Sequence, residues 1–583
     1  MRKVILCLCM AMAIGLLAAC GGGASDNNGQ AQQTQQESAN AEVGGAQAAP
    51  GGEQPANAEP DGINWDEHVT FTWWLIPPPP NDFYNTMNDN AVINYLEHRF
   101  NVTFEFEEPV IGTEGDALAL LMGTGRYTDV IHLGVYPGSI TQLYDDGIIV
   151  DVAEWLDYMP NLQNIINTEP ETAQGIFDDN GRILTLPELA VGTGYPWAGF
   201  LYRHDILETM TDGNVQFPSG NDVPTTIADW EYMLPLFLAY FEAAGFAEYA
   251  PLIIPFNGTF HWGDLKSGFG ASHTFYVRDG VVHNGITEPA MFEYVSTMRD
   301  WFERGWIHSD FASRTTDLFF MPNNPLVFGG MAGAFFGFEM HIGDRMSMPE
   351  FGMNFDVRAM PSPMAPGITH RDMMRRSEDP FGVVFGSAVY TGNPDIGRFL
   401  AIMDYFYSDE GSLVRTIGLR AEQIPPGNTL MAAAEMLYGA WWYDENGEVV
   451  INPNIDDVGG HIERLAVNAG RMPGIYRRDV MNANFTEEAA NARALWGAQD
   501  QVTEVHPLPP VLSPTVAEAS TLASNEIHIT DHINQTIAMF IMGTAPLNEE
   551  TWADFLNRLI DFGLEENRDI WQAAYDRYMR RGQ

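Results

Sequence analysis

The sequence predicts an α/β protein of two or more lobes, and three observations lead there. Apolar and polar residues alternate through Val69-Thr70-Phe71-Thr72-Trp73 and again through Val102 to Glu107, with a helical stripe between them. That is a strand–helix–strand unit, whose crossover is right-handed by rule. The 583 residues exceed what one hydrophobic core usually supports. Hydrophobic residues make up 45% of the chain and aromatics 12%, ample material for a sizeable core.

Each element follows from local pattern. The first strand is ended by Pro77 to Pro80. Val92, Ile93, Leu96 and Phe100 mark one face of a helix, with Asn90 as its N-cap and Asn101 just past its end. A strand over Val102–Glu107, a helix around Leu118–Met122 and a buried strand over Asp129–Leu133 complete a mostly parallel sheet covered by helices. Further helices are expected from Met291, Tyr294, Val295, Met298 and Phe302, stopping at Gly305. Others follow Asn393-Pro394, run through Trp552, Phe555 and Leu559, and close the chain through Ile570 to Tyr578. Asp279-Gly280 and Asn446-Gly447 each separate short apolar runs and read as hairpin turns.

The N-terminus reads as an address label. Arg2 and Lys3 precede an apolar run of 14 residues, Val4 to Leu17, too short to span a bilayer comfortably. It ends in Leu17-Ala18-Ala19-Cys20-Gly21, which resembles the lipobox of bacterial lipoproteins. That resemblance implies a signal peptide over 1–19, cleavage before Cys20 and acyl chains on Cys20; an ordinary secretory signal is the alternative. Residues 21–60 hold five acids, no base and no aromatic, so 20–62 is expected to be a lipidated cysteine and a disordered tether.

The formal net charge of −49 comes from 29 Lys+Arg against 78 Asp+Glu, and such a surface repels phosphate backbones, which excludes nucleic acid. Lysine occurs only at Lys3 and Lys266. Cysteine occurs only at Cys7, Cys9 and Cys20, which leaves no internal disulfide and no cysteine zinc site in the body. The chain carries no phosphate-binding glycine loop with its Lys, no His-Glu-x-x-His and no Gly-x-Ser-x-Gly elbow. Asp178-Asp179 and Asp444-Glu445 read as solvated turns, and His528 and His532 as surface residues. No catalytic residue, metal or cofactor is therefore expected. Aromatics instead gather beside Gly and Pro: Trp73-Trp74, Tyr195-x-Trp197, Trp262, Phe335-Phe336-x-Phe338 and Trp441-Trp442. Flat indole and phenol faces suit the C–H faces of sugar rings.

From about residue 66 onward the order of short motifs resembles a known family. These are Leu121-Met122-Gly123-Thr124-Gly125-Arg126-Tyr127-Thr128-Asp129-Val130, Asp146-Gly147-Ile148-Ile149-Val150-Asp151-Val152 and Gly181-Arg182-Ile183-Leu184-Thr185-Leu186-Pro187. Leu201-Tyr202-Arg203-His204-Asp205, Pro224-Thr225-Thr226-x-x-Asp229-Trp230, Glu303-Arg304-Gly305-Trp306-Ile307 and the closing Ala574-Tyr575-Asp576-Arg577-Tyr578 continue the order. The chain resembles the extracellular solute-binding proteins of family 1, carbohydrate-binding lipoproteins of ABC importers, in their long LplA-like branch. Thr128 stands where Pro is usual, Trp306 where Leu is usual, and Gly213 to Val223 resembles an insertion.

The resemblance implies a type II periplasmic-binding-protein fold, each lobe a mostly parallel sheet flanked by helices. Lobe 1 is expected over 63–190 with about 370–415 returning to it, and lobe 2 over 200–360 with about 420–583 returning. The chain would cross between them near 183–203, 355–375 and 415–425. The implied function is a monomeric, non-enzymatic receptor at the outer face of the cell membrane. It would capture a carbohydrate between closing lobes and deliver it to permease subunits. A lipid-anchored glycan hydrolase and a peptide receptor are the alternatives. Ligands bind outside the carboxyl ends of strands, which selects Trp74, Tyr136, Trp197, Trp262, Phe336 and Trp441 for stacking. Asn81, Asp82, Asp129, Arg203, Asp264 and Glu339 are selected for polar contact. By the two-residue period of a strand, Trp73 is then the core member of its pair and Trp74 the cleft member; the alternative is that both faces are covered.

Overall fold

In the computed structural model the alternating segment Val69–Trp74 is strand β1. The structure describes residues 62–581 apart from 78–84, 193, 195–197, 255–264, 273, 314–324, 339–340, 345, 348, 350–353, 369–385, 427–438, 453–464, 468–471, 484–485, 498–504 and 510. β1 pairs in parallel with β2 (Val102–Glu107) on one side and with β3 (Val130–His132) on the other. An antiparallel strand, β11 (Ser387–Val389), closes the edge beside β3. The helix Ala91–Phe100 connects β1 to β2. Asn90 Oδ1 caps it by accepting from the amides of Val92 and Ile93 at 2.9 and 3.2 Å, and Asn101 ends it in the left-handed region at φ 51°.

The first core lies on one face of this sheet. Phe71 and Trp73 meet Ala91, Val92, Leu96, Phe104, Phe399, Leu400 and Met403 there. The opposite face is covered as well, where Trp74 and Ile131 pack with Leu118, Leu121, Leu143 and Leu184. A buried carboxylate completes the first lobe. Asp404 accepts from the amides of Asn161 and Leu162 at 3.0 and 2.9 Å and so caps the helix Pro160–Thr168 from 243 residues away. Burial pushes its pKa up to about 6 despite those bonds.

The second sheet runs β10-β5-β9-β6, with β5 at Ala198–Arg203, β6 at Ala250–Ile253, β9 at Ala332–Phe338 and β10 at Val357–Met360. It is mixed where the sequence reading has it mostly parallel. Only β6 and β9 are parallel, while β5 is antiparallel to both β9 and β10. The register gives the reason: Ala198 pairs with Phe338, so β5 starts at the edge where β9 finishes and must run against it. A second core packs Phe200, Trp230, Phe237, Phe335 and Trp301 on this sheet. Helix Ile227–Ala244 is held at its start by Asp229, which is wholly buried and accepts from the amides of Ser219, Thr225 and Thr226 at 2.8 to 2.9 Å. This is the physical role of the Pro224-Thr225-Thr226-x-x-Asp229 motif.

Both predicted hairpins are present. β7 (Phe275–Arg278) and β8 (Val281–Asn284) join through Asp279-Gly280, both at positive φ (52° and 76°) as a type I′ turn requires. β12 (Trp441–Tyr443) and β13 (Val449–Ile451) join through a turn in which Asp444 Oδ1 accepts from the amides of Asn446 and Glu448 at 2.8 Å. β15 (Val505–Pro507) adds to the edge of β7.

The chain passes from the first core to the second between Leu189 and Ala198, and returns between Ile368 and Ala388. Leu419, Leu465, Val467 and Met472 pack in the first core, and the next residues in the second core are Ala492 and Trp496. The stretch after 420 carries no periodic signal that separates the two cores; long-range packing decides it. Among the described residues no helix is long and apolar enough to cross a membrane.

Candidate functional site

The carboxyl edge of the first sheet is built by β1 and β3. β1 runs out through Trp74 and Leu75, 4% and 0% exposed. β3 ends at His132 directly beside Ser387, the first residue of β11, and both are buried. Leu133 then donates its amide to Gly386 O at 3.3 Å, and Leu186 donates to Ser387 O at 2.9 Å. Tyr136 follows in a turn closed by its amide to Leu133 O at 2.9 Å, with its ring half-buried. Burial, then the negative charge of Asp146, holds its phenol above the ordinary range.

The second sheet presents the end of β6, the end of β9 and the start of β5 along one edge. Phe338 closes β9, half-buried, and stacks on His341 at 5.7 Å with an interplanar angle of 18°. Its amide donates to His341 Nδ1 at 3.0 Å, so that nitrogen must be an acceptor and the proton of a neutral ring sits on Nε2. Phe335 meets the same imidazole edge-on at 5.9 Å. Gly199 of β5 is required here: a Cβ at this position would lie 2.2 Å from the Trp496 indole, whose Nε1 donates to Phe200 O.

The residues selected from sequence divide into three groups. Asn81, Asp82, Trp197, Trp262, Asp264, Glu339 and Cys20 lie outside the described residues. Tyr136 stands half-buried at the first edge. Trp74, Asp129, Arg203, Phe336 and Trp441 are all engaged by the protein itself. Trp74 packs in the cluster under the first sheet. Asp129 Oδ2 accepts from the amide and hydroxyl of Thr72, both at 2.8 Å, and so ties β1 to the segment before β3. Arg203 forms a bidentate pair with Asp205 at 2.7 and 2.6 Å, donates to Gly330 O, and lies 3.9 Å over the Phe355 ring. Phe336 is 5% exposed and meets Phe200 edge-on at 5.3 Å. Trp441 is 0% exposed, with Nε1 donating to Gly418 O at 2.8 Å. His132, Ser387, Phe338 and His341 are edge residues that sequence reasoning did not select. Only Phe338 carried a signal, as the last member of an aromatic run.

A two-stranded parallel ribbon joins the cores: β4 (Glu188–Val191) pairs with β14 (Gly474–Arg477), Glu188 beside Gly474. Arg415 fastens the root of both strands. Its guanidinium donates to Glu188 Oε2 at 2.6 Å and to the carbonyls of Met472 and Pro473 at 2.7 and 3.1 Å, with the arginine side chain 0% and the glutamate 3% exposed. Tyr407 adds its hydroxyl to Pro187 O at 2.6 Å. Where the ribbon ends, Gly192 sits at φ 95°, and a Cβ there would come 2.5 Å from the Asp479 amide. Among the described residues no group of three or more His, Cys, Asp or Glu is placed to hold a metal ion. Outside the buried interior, what the two edges offer is half-buried aromatic surface, Tyr136 with its hydroxyl at one and Phe338 at the other.

No protein-family model and no curated protein matches the chain. Solved structures do. A human-milk-oligosaccharide (HMO) binding solute-binding protein of an ABC transporter from Bifidobacterium longum infantis superposes with a TM-score of 0.66 at 18% identity, over 88% of this chain and 99% of that one. The FusA substrate-binding protein of Streptococcus pneumoniae in complex with kestose gives 0.66 at 18% identity, over 88% and 99%. The alginate-binding protein AlgQ2 gives 0.64 at 16% identity, over 87% and 98%. The chain has the fold of the extracellular solute-binding proteins of ABC transporters.

Proposed function

We propose that this protein is a lipid-anchored, extracellular receptor of an ABC importer that captures an oligosaccharide between two lobes and hands it to the permease. It carries no catalytic chemistry of its own. In this reading the lobes correspond to the two cores described above, with the β4–β14 ribbon at a passage between them. The observation that carries this reading is a shared fold, over nearly nine-tenths of the chain, with proteins that hold kestose, alginate or milk oligosaccharides. The half-buried Phe338 ring at the edge of the second sheet and the half-buried phenol of Tyr136 at the edge of the first supply stacking surfaces, and the Tyr136 hydroxyl adds a polar group. Closure about the ribbon would bury the sugar.

A thermal-shift screen of fructo-, milk- and alginate-derived oligosaccharides tests this. A sugar at 100 times its dissociation constant is expected to add about 2.7 kcal/mol of stability. The same sugar should be recovered intact after prolonged incubation. A shortened sugar makes the protein a hydrolase, and stabilisation by peptides alone makes it a peptide receptor.

The anchor is read from Leu17-Ala18-Ala19-Cys20. The first residues of the folded body support a tether entering at the first lobe. Arg398 stacks on Trp65 at 5.2 Å and donates to Asn64 O at 3.1 Å, while Asn101 holds Trp65 O and Asp66 O. In cells fed radiolabelled palmitate, Cys20→Ser should abolish the label and leave the body folded. Label retained on the variant defeats the anchor assignment, since no cysteine follows Cys20.

A further inference from the structure

The backbone passages are not the only link between the two lobes. Helix Leu564–Tyr578 belongs to the second: Leu564 packs in its core, Tyr575 packs on Val277 and Val282, and Gln572 Oε1 accepts from the Val282 amide at 2.7 Å. Asp179 belongs to the first, in a turn between Ile176 and Ile183, both members of the first core. Asp178 stiffens that turn by accepting from the amides of Asn180 and Arg182 at 2.8 and 2.9 Å and from the Arg182 guanidinium at 2.9 and 2.7 Å. The neighbouring carboxylate, Asp179, is thereby presented to the C-terminal helix.

Two arginines meet it. Arg577 Nε donates to Asp179 Oδ2 at 2.8 Å and Arg581 Nε to Oδ1 at 2.7 Å. Their remaining donors are also engaged: Arg577 holds Glu518 at 2.6 Å and Ser513 O at 3.2 Å, and Arg581 holds Val511 O and Ser513 Oγ at 3.1 and 3.0 Å. Gln174 adds a bond to Tyr578 O at 2.8 Å. The side chains of Arg581 and Asp179 are 4% and 15% exposed, so this contact is shielded rather than loosely solvated. It is also costly in composition. The chain has 29 bases against 78 acids, and two of those bases converge on one carboxylate. Two acidic lobes repel each other, and this contact opposes that repulsion at one point.

We propose that Asp179, Arg577 and Arg581 form an interlobe strap, a non-covalent joint that limits how far the lobes swing and so sets the population of the ligand-ready arrangement. The proposal rests on the reading that the lobes move about a ligand. An interaction between lobes biases their equilibrium only by what it contributes differently to each arrangement.

The test needs no sugar. Spin labels go on Leu120→Cys in the first lobe and Ile527→Cys in the second, 67% and 64% exposed, in the full chain with Cys7, Cys9 and Cys20 replaced by serine. Pulsed dipolar spectroscopy then reads the interlobe distance. Asp179→Asn and Arg581→Gln should each broaden the distribution, and the double variant should broaden it no further than the stronger single. Sodium chloride at 1 M, where the Debye length is about 3 Å, screens the repulsion between the lobes more than this shielded pair, so it should narrow the variants' distributions and change the unsubstituted protein less. A distribution indifferent to both substitutions overturns the strap, as does strict additivity. If Asp179→Asn fails to fold, Arg581→Gln and the salt titration decide the matter. A protein that binds sugar yet shows a distribution indifferent to the substitutions loses the strap and keeps the receptor reading; one whose distribution broadens in the variants but which binds no sugar loses only the latter.

Discussion

Replacing Arg415 with alanine is expected to cost about 3–5 kcal/mol of stability, the range for breaking one partner out of a buried ion pair. The arginine side chain is wholly buried, and its guanidinium reaches Glu188 and two carbonyls at the start of β14. Removing it takes the Arg415 charge away from the buried Glu188 carboxylate. It also strips a donor from Met472 O and Pro473 O. Glu188→Gln should cost less, because a neutral amide oxygen still accepts from the guanidinium. A paired Glu188→Met and Arg415→Met exchange should recover much of the loss, since apolar replacement of a buried pair is often close to neutral. Urea unfolding followed by tryptophan fluorescence measures all three. Hydrogen exchange locates the damage, which should concentrate in the amides of Leu189–Val191 and Ile475–Arg477, whose ladder the pair anchors. An Arg415→Ala midpoint matching wild type would show that the pair does not hold the root of β4 and β14.

That joint illustrates where sequence reading stops. β1, β2, the helix between them with its Asn90 cap, and both hairpin turns rest on residues a few positions apart, so period and turn chemistry suffice. Glu188 and Arg415 are 227 residues apart, and nothing near either one signals the other. The same holds for Asp404 capping a helix from 243 residues away. Residues beyond 420 likewise look alike whether they pack on one core or the other. Within the candidate site, residue type was legible but engagement was not. Arg203 carried a readable local clue, an aspartate two residues on, and the structure pairs the two. Trp441 carried none, because the carbonyl that takes its indole proton belongs to Gly418. Aromatics beside Gly and Pro mark both binding edges and buried corners, and only three-dimensional burial separates them.

The adjacent tryptophans of β1 bring that separation to a measurement. Trp73 is 0% exposed and packs on the first core, edge-on to Phe399 at 5.4 Å and near Phe104 and Phe106. Trp74 is 4% exposed and packs on the other face of the sheet with Leu118, Leu121, Ile131 and Leu184. The strand period puts the two rings on opposite faces, as expected, and both faces are covered. Each alanine substitution should therefore cost about 3–5 kcal/mol, the range for emptying a buried aromatic site. Phenylalanine should separate packing from polarity at Trp73. Its indole Nε1 is buried with no hydrogen-bond partner among the described residues, so Trp73→Phe sheds an unmet donor while keeping most of the ring and should cost far less than alanine. At Trp74 the backbone amide is held by Thr128 Oγ1 at 3.2 Å, and alanine leaves that bond intact. Its loss is then one of side-chain packing, visible as a lower melting temperature in the absence of any sugar. A ligand-stacking residue would behave otherwise, leaving the free protein's melting temperature unmoved and lowering only affinity. If Trp74→Ala melts with wild type and fails to bind the oligosaccharide found by the screen, Trp74 belongs to the binding edge rather than to the cluster beneath the sheet.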